Sequence, residues 1–511
     1  MICQILSVKE LCTMISLGID IGGTGCKCVA FRDDGTQLAL SYAEYPVPAG
    51  TVNLPPEILT VSVYKVLADC AAKIEDKNEI AAITVSSFGE SFVAVDAEGK
   101  ALTDILMYFG NTESEEFTAL VEEIGVEKFM RITRVLPNAS YSLSKMLYTK
   151  KVAERPVWKY LFIAGFICYR LSGVPCADIP LACRSLLYDV ENRCWSKELA
   201  DACGIDLSTL PEAVPAGTKA GTLLPELAEK LGLSADIPVV IGAHDQIVNA
   251  LGVGVQNPGD AVDTSGTCEC ITPLFSKLPE NLDFQQNNFA CIPYLEDMGY
   301  VTYAYNISAG SVVRWYRDAL GFWMDKDAKA QGKSVYDLFN EMSPAAPTDL
   351  MVLPFLQGMG GTPDVDPTAT GMIAGLTTQT RLSDIYRAIL EGVTYEMRYN
   401  QEKLQENGVQ FERLYACGGG AKSAVWLQIK ADVLGCDIIP VQAEENGAMG
   451  SAILGIAAVT GKSAFEVAKP FWRYGETVKP NPENQKIYNE KYARYCQLRK
   501  LYRQFSQGEN L

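Results

Sequence analysis

Ile237-Pro238-Val239-Val240-Ile241-Gly242-Ala243-His244-Asp245-Gln246-Ile247-Val248-Asn249-Ala250-Leu251 decides how this chain is read. The apolar run Ile237 to Ile241 predicts a short buried strand, and Val248 to Leu251 predicts the start of a helix. Between them stands an acid, Asp245. Open α/β sheets place ligands at such strand–helix junctions, beyond the carboxyl ends of the strands. Asp245 is therefore read as facing a substrate hydroxyl. The rival reading is a helix N-cap for a helix starting at Gln246, since Asp is a favoured cap.

Outward from this junction, strands and glycine-rich turns recur. Ile15 to Ile21 predicts a strand, Gly22-Gly23-Thr24-Gly25 breaks it, and Lys27 to Phe31 and Gln37 to Tyr45 return antiparallel. A helix follows around Glu57–Ala72, then a strand from Ile80 to Val85 that ends at Ser86-Ser87-Phe88-Gly89-Glu90. Residues 112–170 read as mainly helical. Beyond Asp245 the opening pattern restarts at Gly259 to Thr267, with Cys268 to Leu274 returning. Asp20 and Thr24 are four apart, as are Asp263 and Thr267. This weak repeat predicts two domains on one plan, each with an acid and a threonine at its first β-turn. Further on, a helix from Ser383 to Arg398 is expected with Ser383-Asp384 as its cap. A strand Phe411 to Ala416 runs into Gly418-Gly419-Gly420, followed by a helix Ala421 to Leu434 stopped by Gly435. A tyrosine stripe on the last helix (Tyr488, Tyr492, Tyr495, Tyr502) reads as packing.

The totals exclude several classes. The chain has 511 residues, 48% hydrophobic and 21% charged, with a net charge of -18. That length predicts two large domains or three ordinary ones. An acidic chain is a poor partner for nucleic acid or anionic membrane, and no apolar run reaches a membrane span. The 16 cysteines are scattered without zinc spacing. Free, buried thiols and a cytoplasmic location are expected. No signal peptide is read at the start, and residues 1–13 read as an extension or a misassigned start.

Three glycine-rich turns, 22–25, 265–267 and 418–420, let backbone N–H groups approach phosphate without a Walker A loop. In an acidic chain they predict a nucleotide held between domains, with Asp20 the natural Mg²⁺ partner.

These segments resemble the FGGY carbohydrate kinases. The resemblance rests on Asp20-Ile21-Gly22-Gly23-Thr24, His244-Asp245-Gln246, Asp263 to Thr267 and Ser308-Ala309-Gly310. It rests most specifically on Gly418-Gly419-Gly420-Ala421-Lys422-Ser423 with Trp426 and Ala431-Asp432-Val433-Leu434-Gly435. Glu445-Asn446-Gly447-Ala448-Met449-Gly450 follows in family order. The resemblance implies an α/β fold of two ribonuclease-H-like domains, of the actin-like ATPase superfamily, around a central cleft. It implies a sugar-side domain over 14–254, an ATP-side domain over 255–468 and a helical tail over 469–511 packing on the core. It implies ATP and Mg²⁺, with Asp245 as the base and Asp20 near the metal. Gly89, Glu90 and Gln246 would contact the sugar or polyol. Gly23, Thr24, Lys27, Gly266, Thr267, Gly310, Arg314, Gly419, Gly420 and Ser423 would hold ATP. Many members carry an aromatic residue, Asp and Arg where this chain has Tyr108-Phe109-Gly110-Asn111-Thr112. Asn111 and Asn138 are candidate replacements. His244, the only histidine, is read as a structural or substrate hydrogen bond rather than the base.

The expected activity is ATP-dependent phosphorylation of a small sugar, a ketose such as a pentulose or hexulose. A glycerol or tetritol kinase is the rival among enzymes, a catalytically silent sugar sensor outside them. The partner is a small molecule, and a homodimer is admitted as an assembly.

Overall fold

A computed structural model describes residues 13–47, 52–108 and 115–506. Its first half is built on β1 (Ile15–Ile21), β2 (Gly25–Arg32), β3 (Gln37–Glu44), α1 (Pro56–Ala71) and β4 (Ile80–Ser87). It continues through α2 (Ser142–Val152), α3 (Ile163–Ser172), β5 (Lys219–Thr222), β6 (Pro238–His244) and α4 (Asp245–Val253). The second half contains β7 (Asp260–Ser265), β8 (Glu269–Phe275), β9 (Ile292–Pro293), β10 (Tyr300–Val301) and β11 (Ala304–Asn306). Next come α5 (Gly310–Ala319), α6 (Val335–Met342), α7 (Leu382–Glu406), β12 (Arg413–Gly418) and α8 (Ala424–Leu434). The main elements end with β13 (Asp437–Pro440), α9 (Asn446–Thr460) and α10 (Pro482–Ser506).

Two sheets organise them. The first is six-stranded in the order β5-β6-β4-β1-β2-β3. The second is seven-stranded, running β9-β10-β8-β7-β12-β13 with β11 also on β8. In each, a first hairpin is antiparallel, and two later strands extend from its first strand as a parallel row. Thus β1 pairs antiparallel with β2 and parallel with β4, and β4 pairs parallel with β6. Equally, β7 pairs antiparallel with β8 and parallel with β12, and β12 pairs parallel with β13. The repeat expected from Asp20/Thr24 and Asp263/Thr267 is thus present as topology. Its acids have diverged: Asp20 is partly exposed, whereas Asp263 is fully buried beneath the turn.

The parallel strands are apolar because both faces are covered. In β1, Ile15, Leu17, Ile19 and Ile21 are buried on one face, and Ser16 and Gly18 meet α9 on the other. A Cβ on Gly18 would come within 2.0 Å of the Ala448 carbonyl oxygen, and one on Gly450 within 1.9 Å of that of Val248. Small residues therefore let α9, late in the chain, lie directly on the first sheet and on α4. The closing helix α10 packs its buried tyrosines Tyr488, Tyr492 and Tyr495 around Tyr395 of α7, which agrees with reading the stripe as packing.

Several sequence expectations are corrected in detail. The 112–170 region includes a strand, Lys159–Phe162, paired with Phe92–Val95. The α7 helix starts at Leu382 with Arg381 as N-cap, so Ser383 lies inside it. After Gly418, a 3₁₀ turn spans Gly419–Lys422, and Ser423 caps α8 through the Trp426 N–H. The strand expected at Phe411 begins at Arg413. The thiols are free among the described residues, with Cys194 and Cys268 exposed. No helix there is long and apolar enough to cross a membrane.

Candidate active site

The cap reading of Asp245 fails. His244 is the N-cap of α4, Asp245 is its first helical residue, and no side-chain cap bond forms. The chain turns sharply from β6 into α4, so Asp245 and Gln246 emerge at the carboxyl end of the sheet. Asp245 Oδ1 and Gln246 Oε1 are buried atoms without a hydrogen-bond partner. About a third of the Asp245 side chain (34%) still faces open space. Burial pushes its carboxyl up to about 8, reinforced by the charges of Asp20 and Glu90 and opposed by the Gln246 N–H and Arg184.

Glu90 stands beside it with a left-handed backbone, φ 61°. Strain of this kind persists only where the surroundings hold it. Here Arg184 Nε donates to Glu90 Oε1 at 2.5 Å, and Ser142 Oγ donates to its carbonyl at 3.1 Å. Burial alone would raise the Glu90 carboxyl, but the Arg184 charge holds it below the usual range. The Arg184 guanidinium lies over the rings of Tyr141 (4.7 Å) and Tyr303 (5.4 Å). Sequence reading missed Arg184. Its signal was a lone charge inside Leu181-Ala182-Cys183-Arg184-Ser185-Leu186-Leu187, an otherwise apolar or small-residue run. Lys145 is also buried near Glu90, donates to the Tyr141 carbonyl at 3.3 Å, and is pushed down to about 8 by burial.

Gly89 packs under the His244 ring, where a Cβ would come within 2.9 Å of Nε2. His244 is buried, its Nδ1 lies 3.0 Å from the Tyr303 hydroxyl, and burial lowers its pKa to about 4. A neutral imidazole agrees with a hydrogen-bonding rather than a charged role. Asn138 Oδ1 accepts from the Ser140 N–H at 3.0 Å, so this side chain closes a turn ahead of α2. Asn111 lies outside the described residues. Tyr108, at their edge, has its hydroxyl pushed up to about 12 by burial and by Asp245 and Glu90, so it borders the same space.

The phosphate-type turns gather elsewhere. A cavity of about 610 Å³ is lined by Gly266, Thr267, Gly310, Arg314, Gly419, Gly420 and Ser423, all singled out from sequence. Gly310 admits the close approach of the turn, since its Cβ would stand 2.1 Å from the Gly266 carbonyl oxygen. Arg314 Nη2 donates to Thr267 Oγ1 at 3.3 Å, which draws it to the cavity rather than to a surface pair. Trp426, Tyr336, Tyr386 and Val313 supply apolar and aromatic lining, and Asn340 a polar amide. Asn340 Oδ1 accepts from Ser423 Oγ (2.8 Å) and Tyr386 Oη (2.9 Å), which fixes its amide; nothing in the sequence marked it.

Behind the turn, the fully buried Lys430 ammonium pairs with Asp263, with Glu269 at 2.9 Å and with Ser265 Oγ at 2.5 Å. Asp263 is therefore a strut and not a second Asp20. Across the molecule, Asp20 sits 3.4 Å from Lys27, which also pairs with Glu445 at 2.8 Å. Burial raises the Asp20 carboxyl, with Lys27 opposing. Gly23 and Thr24 are accessible at the same turn.

These residues suit a nucleotide. Gly266 and Gly419 line the cavity, and a Cβ on either would meet no protein atom closer than 3.7 Å, so it would project into free volume. Among the described residues no group of three or more His, Cys, Asp or Glu is placed to hold a metal. Asp20, at the 22–25 turn, is a carboxylate compatible with Mg²⁺, which keeps waters and phosphate oxygens as ligands.

Comparison with known proteins gives the same family. The family models for the FGGY carbohydrate kinases match residues 15–252 (N-terminal domain) and 264–459 (C-terminal domain). The xylulose kinase of Lactococcus lactis is 26% identical over 507 residues, covering 96% of this chain and 95% of that protein. The gluconokinase of Bacillus licheniformis is 27% identical over 513 residues, covering 98% of each. The crystal structure of the gluconate kinase from Lactobacillus acidophilus superposes with a TM-score of 0.85 at 22% identity, over 96% of this chain and 98% of that one. At that identity the superposition shows a shared two-domain fold. The chain belongs to the FGGY family of carbohydrate kinases, enzymes that transfer a phosphoryl group to a sugar hydroxyl.

Proposed function

We propose that this enzyme phosphorylates a small ketose, a pentulose or hexulose, with Asp245 as general base. One observation carries the reading: Gln246 Oε1 is a buried acceptor without a partner, and the carboxylate of Asp245 beside it is still partly open. An orphaned acceptor and a half-open carboxylate at a strand end are what a polyhydroxy ligand would satisfy, because each hydroxyl brings a donor. Similarity to the xylulose kinase of Lactococcus lactis along nearly the whole chain supports a ketulose.

In this reading Glu90, locked by Arg184, accepts a second sugar hydroxyl, and Gln246 a third. Asp245 orients the reacting hydroxyl and takes its proton late, since phosphoryl transfer passes through a loose transition state. A magnesium-bound nucleoside triphosphate supplies the phosphoryl group. The turns at Gly266–Thr267 and Gly419–Gly420 would hold its phosphates through backbone N–H groups, and Asp20 would hold the ion. Lys27 and Glu445 keep Asp20 in place. Free buried thiols suit a reducing cytoplasm.

The test is ADP release with Mg²⁺-ATP against ketoses, aldoses, polyols and gluconate, beside Asp245→Asn. Turnover on a ketulose that the variant loses supports the reading. Turnover confined to gluconate or glycerol replaces the substrate class, and a variant as fast as wild type removes Asp245 as the base.

A further inference from the structure

We propose that His244, held from behind by Tyr303, is a positioning residue for Asp245. It presents Nε2–H to one carboxylate oxygen and leaves the other oxygen for the substrate hydroxyl. The proposal rests on the reading of Asp245 as base.

The geometry is a chain of three side chains. Tyr303 Oη stands 3.0 Å from His244 Nδ1, and His244 Nε2 stands 3.3 Å from Asp245 Oδ1. That oxygen is buried and has no hydrogen-bond partner. The 3.3 Å contact falls short of hydrogen-bond alignment, as catalytic contacts often do before the substrate closes them up. The ring itself has little freedom. Gly89 leaves no room for a Cβ against Nε2, and the His244 N–H donates to buried Asp178 at 3.2 Å.

Protonation follows from the surroundings. Burial keeps the imidazole neutral, so it carries one N–H. The charged groups around it are Asp245, Glu90 and Arg184, with Asp178 behind its backbone. If Nδ1 carried the hydrogen, the Nε2 lone pair would face the lone pairs of ionised Asp245. With the hydrogen on Nε2, Tyr303 donates to Nδ1 and both contacts are attractive. Ionised Asp245 thereby selects the tautomer, and the Tyr303 hydroxyl, which can donate or accept, supports it by donating to Nδ1. No proton passes to His244; it remains neutral throughout.

The chain also crosses the molecule. Tyr303 immediately precedes β11 in the second half, whereas His244 and Asp245 belong to the first. The orientation of the base therefore depends on how the two halves meet.

The chain contains one histidine, so the full-length protein labelled with ¹⁵N-histidine gives one imidazole spectrum, without need of a substrate. At a pH above the Asp245 value of about 8, where the carboxylate is ionised, we expect a single tautomer with the hydrogen on Nε2. Tyr303→Phe, which deletes only the hydroxyl, should remove the hydrogen bond to Nδ1 and move its resonance; Asp245→Asn should move Nε2. On the best acceptor of the panel above, Tyr303→Phe and His244→Asn should each lower kcat about tenfold, the worth of one hydrogen bond to a charged group. KM for Mg²⁺-ATP should stay within about twofold. His244→Gln, whose amide reaches the Nε2 position, should retain more kcat than His244→Asn.

A tautomer mixture in the wild type, or a spectrum indifferent to Tyr303→Phe, overturns the proposal. So does wild-type kcat in Tyr303→Phe and His244→Asn while Asp245→Asn is inactive, an outcome that leaves the base reading standing. Full activity in Asp245→Asn removes the base reading itself.

Discussion

At the residue scale the site is governed by charges held away from water. Asp245 is pushed up to about 8, so at neutral pH the ligand-free enzyme holds it mostly protonated and unable to accept a proton. Raising the pH ionises it. We therefore expect kcat/KM for the sugar to climb with pH and level off above about 8, falling up to about tenfold per unit below; a flat profile between about pH 6 and 9 would contradict this. Asp245→Asn should lower kcat by about a hundredfold or more while nucleotide binding, read by calorimetry, persists. Lys430 poses a different problem. It neutralises two buried carboxylates, Asp263 and Glu269, and burial already pushes Glu269 up to about 8. Lys430→Met leaves them unpaired and should destabilise the fold by about 3–5 kcal/mol in urea titration. It should also loosen the Ser265–Thr267 turn. Asp263 illustrates what residue-level reading missed: its spacing matches Asp20, but its partner lies 167 positions later on α8, beyond any local pattern.

At the scale of elements, boundaries followed the caps. Gly435 ends α8 with φ 70°, as the sequence led one to expect, because the left-handed C-cap favours glycine. The start of α8 was misjudged by a few residues because Ala421 and Lys422 have helical propensity, yet Ser423 offers a side-chain acceptor to the Trp426 N–H. Ser423→Ala should cost about 1 kcal/mol as a lost cap and raise KM for ATP, since the same hydroxyl donates to Asn340 at the cavity. The contact of α9 with the first sheet was not legible at all. Gly450 shows only as a small residue in sequence, but its Cα faces the Val248 carbonyl. Gly450→Ala must separate α9 from α4 and should cost about 1–3 kcal/mol by overpacking, measurable as a lower urea midpoint with an unchanged m-value.

At the scale of the whole molecule, one half carries Asp245 and Glu90 and the other the glycine-lined cavity. Productive transfer requires the two to approach and water to leave, because water is itself an acceptor. Small-angle scattering should show a smaller radius of gyration with acceptor and a non-hydrolysable nucleotide together than with either alone. An unchanged radius would mean that the halves are already closed in the free enzyme. The tail belongs to this scale as well. Tyr488 and Arg387 meet at Glu391, and Arg499 donates to Glu396 at 3.0 Å.

What the sequence determined by itself was the alternation of strands and helices, the doubling of the plan, and the glycine-rich turns with their neighbouring acids. These depend on local periodicity, turn chemistry and side-chain type, which are written along the chain. Only the tertiary structure decided which acids meet cations, that Arg184 locks Glu90, and that Tyr303 reaches His244 from the other half. Such pairings join residues far apart in sequence, and burial, a property of the packed whole, sets their charge.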